Sequence, residues 1–444
     1  MTYILLGIAV FLVVVSPSIL IGINLLLVVV RPQEFMLPPG SSGVVTMMLG
    51  AAAVAWIIGK RRDLSFPQIS LITAFFLALP ISEVFSGNGG DAATALTEFF
   101  PAWLLFIVIS SSVDNIKQLQ HFIYLMMICA VIIALHSIQQ YYNDVGWAGA
   151  NILIENGVRR VRYLGIFHDP NDLGILFVAV LPLTLYAALE KRGSILGYLL
   201  FLVAAIILYA LILTKSRGAI LSVGFMAMLV IWRHFDAVKA AIVTGILAFI
   251  GLSLQIRKES IGGGDRSSLD RIDGWELGMD LFHSHPIFGV GYNHFMDYYF
   301  LTAHNSLVLV LSETGALGYV IWVTFFSITL TLLFKQSLGS GAFDIREAQP
   351  YSELDPYQKI TWVFFLSIAG YLFGSFFLSQ TYSIFLFLLS AFATGAYLVS
   401  YRHRNPDAEE ATEGWQYFPA TVLFSVISIA LLWGIIRILI RLSY

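Results

Sequence analysis

Charge is what this sequence has least of. Only 12% of its 444 residues are Asp, Glu, Lys or Arg, about half the usual ~25% of a soluble domain. That scarcity excludes an ordinary water-facing surface. The net charge of −3 says nothing about partners, and nothing points to nucleic acid. Cys129 is the single cysteine, which excludes an intrachain disulfide. The N-terminus lacks a basic n-region, and its apolar run over 3–30 is too long for a typical h-region, so no cleavable signal peptide is expected. No internal repeat and no low-complexity tail is visible.

What the chain does have is apolar residues, 58% of the total, with a mean hydropathy of +0.80. Runs long enough to cross a bilayer as helices fall near 3–30, 43–59, 67–86, 95–113, 118–142, 171–189, 194–213, 217–233, 237–254, 304–334, 359–378, 381–400 and 417–439. A β-barrel would show short alternating segments instead. The expected fold is an all-α polytopic membrane protein with about 12 to 14 transmembrane helices. It forms a single membrane domain over 1–444, with outer loops at 143–170 and 255–303. The first run contains Pro17 and is long for one helix.

The distribution of Lys and Arg sets the orientation. With Lys60, Arg61 and Arg62 placed inside, the short inner connections also hold Lys117, Lys191, Arg192, Arg233, Lys239, Lys335, Arg346, Lys359, Arg402 and Arg404. The short outer connections hold only Arg31, Lys215 and Arg217. Loop 143–170, the turn at 214–217 and loop 255–303 then share the outer face. An odd crossing count leaves Arg437 and Arg441 outside too, which argues for one miscounted crossing.

Several outer-face residues break the apolar pattern. In "LTKSRGAIL", Lys215 and Arg217 interrupt a nearly continuous apolar run, and an ionisable group at that depth is costly unless it serves a ligand. Ser216 to Gly218 open the next helix, whose N-terminal N–H groups suit an anion, and Arg adds a fork matched to phosphate oxygens. A topogenic or snorkelling charge is the bland alternative. In 262–295, the spacing of Leu269, Ile272, Leu277 and Leu281 predicts an amphipathic helix lying on the bilayer. Arg266 and Arg271 beside that apolar face could hold a lipid phosphate, or be solvated partners of Asp265, Asp270 and Asp273. Arg159, Arg160 and Arg162 add positive charge to the outer side, where an anionic ligand would explain them. Asp169, Pro170 and Asp172 read as a helix start.

His283, His285, His294 and His304 lack the i,i+4 or Glu-x-x-His spacing of a metal site, so no metal is expected. His304 stands at a helix start with Asn305 beside it. The positive helix end disfavours imidazolium, and a neutral ring can take a proton from a hydroxyl. Glu313 falls half a turn off the His304 face and is expected to meet a neighbouring helix. Gly315 and Gly318 are expected to let helices approach closely.

Five stretches occur together in order: "DPNDLG" (169–174), "SRGA" (216–219), "RIDGW" (271–275), "HPIFGVGYNHF" (285–295) and "HNSLVLVLSETGALG" (304–318). Over roughly 160–320 the chain thereby resembles the O-antigen ligase family, which also includes O-antigen polymerases and protein O-oligosaccharyltransferases. The resemblance implies a GT-C type glycosyltransferase in the bacterial inner membrane with its active site facing the periplasm. It implies a glycan donor carried on undecaprenyl diphosphate, and no metal or other cofactor. By position, Arg217 and Arg271, with Lys215, would bind the diphosphate and His304 would act as base. Asn305, Arg266 and Arg162 are supporting candidates. The acceptor is lipid A–core for a ligase, another repeat unit for a polymerase, or protein for an oligosaccharyltransferase. A polyprenyl-glycan flippase is the reading from a different class, although transporters place charges near the midplane and often carry repeats. A structural membrane scaffold is a third.

Overall fold

Residues 17–36, 43–59, 63–155, 157–233, 266–339, 349–408 and 410–443 are described by the computed structural model, with short helical pieces at 238–239, 242–243 and 245–246. The expected segment 3–16 and most of the expected span 237–254 lie outside the described residues. Among the described residues, thirteen α-helices account for nearly all the regular structure. They are α1 (Pro17–Val29), α2 (Gly43–Ile58), α3 (Pro67–Ser86), α4 (Ala92–Ser112), α5 (Ile116–Asn143), α6 (Pro170–Glu190), α7 (Ile195–Leu213), α8 (Arg217–Trp232), α9 (Arg266–Ser284), α10 (Ser306–Leu338), α11 (Pro356–Ser375), α12 (Ile384–Arg404) and α13 (Phe418–Ser443). Eight of them, α3 to α7, α10, α12 and α13, are long and apolar enough to cross a membrane, and α1, α2 and α8 are shorter apolar helices. The chain is an all-α polytopic membrane protein. Among the described residues the one sheet is a hairpin in loop 143–170, β1 (Leu153–Glu155) against β2 (Val158–Arg160), antiparallel with Ile154 opposite Arg159.

Burial ranks the helices by position. In α12, 89% of the apolar stretch is buried and in α6 83%, whereas the stretch containing α13 is only 17% buried. A helix that is apolar all round and buried belongs in the middle, and one that is apolar and exposed belongs against lipid. α6 packs on α7, α11 and α5, while α12 packs on α4 and α11. Gly395 lets α12 close on Val113, since a Cβ there would stand 3.2 Å from the valine Cβ.

The two ends of the bundle are distinct. At one end, Asp63 meets Arg402 and accepts from Ala411 N, and Trp415 Nε1 donates to Ser65 O. Lys359 pairs with Glu190 at 3.1 Å near the same ends of α6 and α11. At the other end lie loop 143–170, the 214–216 turn, the start of α10 and the 376–383 turn. α13 starts near Ser65 and packs on α9, so its C-terminal end, with Arg437 and Arg441, does reach this second face. Arg437 is accommodated by stacking on Trp433, 5.6 Å from the ring centroid.

α10 departs most from expectation. The sequence predicts one span over 304–334, but Gly315 has φ 62° and ψ −165°, a region open essentially to glycine alone. In a straight helix Ser306 and Trp322 would be ~24 Å apart along the axis. Here both reach the same turn: Ser306 O accepts from Thr381 Oγ1 (2.9 Å), and Trp322 Nε1 donates to Thr381 O (3.1 Å). The arms 306–314 and 316–338 fold toward one another across Gly315. The fold frees backbone groups that must be paired at this depth. Segment 286–291 pairs them: Val290 N and Gly291 N donate to Ser312 O and Glu313 O, and Ala316 N and Leu317 N donate to Pro286 O and Ile287 O, all at 2.9–3.1 Å. Gly315 thus admits a loop backbone rather than a neighbouring helix; a Cβ there would lie 2.4 Å from the Ile287 carbonyl. Gly318 faces Thr314 of its own chain segment.

Candidate active site

Three helices begin at one place. Asp169 caps α6, its Oδ1 accepting from Asn171 N at 2.7 Å behind Pro170 at the first position. Ser216 caps α8, accepting from Ala219 N at 3.3 Å. Asn305 caps α10, accepting from Leu307 N and Val308 N at 2.9 and 3.2 Å. Lys215 (φ 56°) and His304 (φ 46°), each one residue before a cap, occupy the left-handed region. Non-glycine residues seldom do so, and this turn lets each chain enter its helix sharply. His304 therefore precedes α10 rather than beginning it.

Direct contacts join these starts. Gly174 of α6 leaves room for the α7–α8 turn: a Cβ there would stand 3.0 Å from Ala219 Cβ and 3.1 Å from Ser216 Cβ. Gly218, beside Arg217, lies against Phe377. Gln380 Nε2 donates to Asp172 Oδ1 at 2.6 Å, and Gln380 N donates to Ser306 Oγ at 2.8 Å. His304 N donates to Ser379 Oγ at 3.0 Å, and Ser379 Oγ donates to Thr302 Oγ1 at 2.8 Å. The 376–383 turn thus ties α6, α8 and α10 together. Sequence reading missed it; its signal was the polar "SQTYS" between two apolar runs.

α9 joins the same cluster through a buried tryptophan. Trp275 Nε1 donates to Ala303 O at 2.8 Å, and its ring meets Phe376 edge-on at 5.6 Å. The helix packs on α10 and α13 instead of lying free on the bilayer, because Trp275 and Met279 are buried against protein. Arg271, one turn before Trp275, acts electrostatically on His304. Trp275→Phe would keep the ring packing but leave the Ala303 carbonyl unpaired. It should cost ~1–3 kcal/mol, read as a lower midpoint in detergent thermal unfolding; an unchanged midpoint would count against the bond.

The electrostatics favour a neutral His304. Burial lowers its pKa below the ordinary imidazole value, the Arg271 guanidinium lowers it further, and Asp169 partly opposes both. Three helix N-termini add positive potential of the same sign. Lys215, Arg217 and Arg271 remain partly exposed here. The arrangement can hold a polyanion beside a proton acceptor.

Other sequence candidates lie elsewhere. Arg160 is buried among Glu155 (2.7 Å), Asn171 (3.0 Å) and Thr214 O (3.1 Å), and Arg159 pairs with Asp144 (2.6 Å). These two arginines hold loop 143–170 on the bundle, so no external anion is needed to explain them. Arg162 donates to Asn151 O (2.8 Å) and contacts His168 Nε2 (3.0 Å). Arg266 opens α9, but its side chain lies outside the described residues. The Glu313 side chain accepts from Phe295 N at 3.1 Å and anchors the loop before α10, while its carbonyl accepts from Ser82 Oγ of the neighbouring helix α3 at 2.7 Å, so Glu313 meets a neighbouring helix as expected. The four histidines are divided among different partners: His285 contacts Ser284, while His294 contacts Asp297 (2.6 Å) and Glu83 (3.3 Å). Burial disfavours charge on His294, but those carboxylates and Asp91 prevail and hold its pKa above the usual value.

Residues 200–323 match the family model described as O-antigen ligase, a stretch that contains Lys215, Arg217, Arg271 and His304 but neither Asp169 nor the 376–383 turn. No curated protein matches the chain. Over that stretch, within an all-α polytopic membrane protein, the chain is similar to the O-antigen ligase family.

Proposed function

We propose that the chain transfers a glycan from undecaprenyl diphosphate to lipid A–core at the periplasmic face of the bacterial inner membrane. The observation that carries this reading is His304 held neutral beside Arg271 where three helices begin. Arg217 and Arg271, with Lys215, bind the diphosphate; their charge and the helix ends stabilise the negative charge that grows as it leaves. His304 takes the proton of the acceptor hydroxyl. The acceptor oxygen bonds to the anomeric carbon as the carbon–oxygen bond to the diphosphate breaks, inverting that centre without a metal. Asn305 is fully buried and its Nδ2 has no hydrogen-bond partner among the described residues, so it remains available to a substrate oxygen. A cleft of about 470 Å³ runs between α10 and α11 from Ser306 and Phe376 to Leu330, and its apolar walls suit the polyprenyl tail.

The bias of Lys and Arg toward the opposite face supports the periplasmic orientation. The polymerase and protein-glycosylation readings differ only in acceptor. The test is the lipopolysaccharide gel profile of a deletion strain complemented with wild type or Arg217→Ala. Wild type should restore the ladder above lipid A–core, while Arg217→Ala should leave lipid-linked polymer accumulated. A ladder unaffected by the deletion would remove lipid A–core as acceptor. A ladder fully restored by Arg217→Ala would remove the diphosphate role of that residue.

A further inference from the structure

Toward the end of the bundle where Lys359 meets Glu190, away from the candidate active site, lies a cleft that the proposed transfer reaction does not use. About 440 Å³ in volume, it opens between α6, α8 and α11. Leu181 and Leu185, Val223 and Ala227, and Val363 and Leu366 form apolar walls on the three helices. One end is different. Arg233, at the C-terminal end of α8, and Tyr351 line it there.

Arg233 is only 7% exposed. Its Nη2 donates to Ser337 O and Gln349 O, both at 3.0 Å, and its guanidinium stacks on Trp362 at 4.7 Å. Its Nε and Nη1, and the Tyr351 hydroxyl, have no hydrogen-bond partner among the described residues. Leaving a buried guanidinium with two unsatisfied donors is costly, and a carboxylate or phosphate oxygen would satisfy them. Glu190, whose charge acts on Tyr351, is held by Lys359 at 3.1 Å, and Lys359 itself lies over the Tyr351 ring at 5.7 Å. The polar end therefore has cationic character, while the walls are mostly apolar, Tyr186 being their exception, and offer little to a soluble anion.

We propose that this cleft is a binding site for one anionic phospholipid, its phosphate on Arg233 and Tyr351 and an acyl chain along the apolar walls. Both halves of the ligand are required: the donors call for an anion and the cleft for a hydrocarbon chain. Basic pockets between membrane helices commonly hold such headgroups. α8 is 16 residues long, so Arg233 lies ~24 Å from Arg217 along it. The site is thus separate from the candidate active site, and it stands or falls independently of the proposed reaction.

The test uses the full chain, delipidated in detergent, with native mass spectrometry reading lipid adducts. Phosphatidylglycerol should bind at least fivefold more tightly than phosphatidylcholine of the same chains, and excess inorganic phosphate should not displace it. Arg233→Gln should abolish that preference. Ala227→Phe, which leaves the guanidinium intact and fills the cleft, should weaken both lipids and guards against a misfolded Arg233 variant. Equal binding of the two lipids by wild type, or a preference that survives in Arg233→Gln, overturns the proposal. Displacement by inorganic phosphate alone would make the occupant a soluble anion, and a change of oligomeric state in Ala227→Phe without lipid loss would make it a second copy of the chain; either overturns it.

Discussion

Replacing His304 with alanine should lower glycan transfer roughly 100- to 10,000-fold, the range a positioned general base contributes, while the protein remains folded and its lipid-linked donor still binds. The measurement is transfer by purified protein to lipid A–core with binding followed separately. Retention of most activity would remove His304 from the chemistry. Its pH dependence sharpens the test. The base must be neutral, so activity should fall as pH drops through the His304 pKa, which lies below the ordinary imidazole value of about 6.5. Burial and Arg271 lower that pKa and Asp169 raises it. Arg271→Gln should therefore move the acid limb of kcat/KM to higher pH, and Asp169→Asn should move it to lower pH. Asn caps a helix as well as Asp does, so the second variant keeps α6 intact. Limbs that both stay in place would show that His304 is not the group titrating.

The second large effect is on folding. Gly315→Ala places a Cβ about 2.4 Å from the Ile287 carbonyl at a backbone conformation that L-residues avoid. The cost should be about 3 kcal/mol or more, enough to remove most of the monodisperse protein recovered in detergent. Gly50→Ala in α2 is the control, since nothing lies within 4 Å of its added Cβ. It should be neutral or mildly stabilising, as alanine favours helix. Equal yields from the two variants would contradict the folded geometry of α10.

Much of this was legible because each signal was local. Apolar run length gave the helices, and the sequence "DPND" gave the Asp169 cap with Pro170 behind it. Arg217 and His304 announced themselves by standing where charge or polarity is expensive. What escaped was non-local. Arg160 looked like a cation awaiting a ligand because its partners Glu155, Asn171 and Thr214 come from three different elements. The 376–383 turn carries no charge, so nothing marked Ser379 and Gln380 as the joint between helix starts. The fold at Gly315 was hidden because hydropathy sees composition, and both arms of α10 are equally apolar. Glu313 was expected to meet a neighbouring helix and does so through Ser82, but a backbone amide 18 residues earlier was not foreseeable as its side-chain partner.

The seam at Gly315 also bears on how the chain enters the membrane. As one rod, the 33 residues of α10 would be ~50 Å long, far more than the ~30 Å hydrocarbon core. The 23 residues of 316–338 match that thickness alone. Segment 286–291 leaves the ribosome before 312–317, so its four backbone partners do not yet exist. The pairs can form only once 316 and 317 have been made, so arm 306–314 settles only after the chain has passed Gly315 and the waiting loop closes on it. The candidate active site, which begins at His304, is then among the last parts of the protein to assemble.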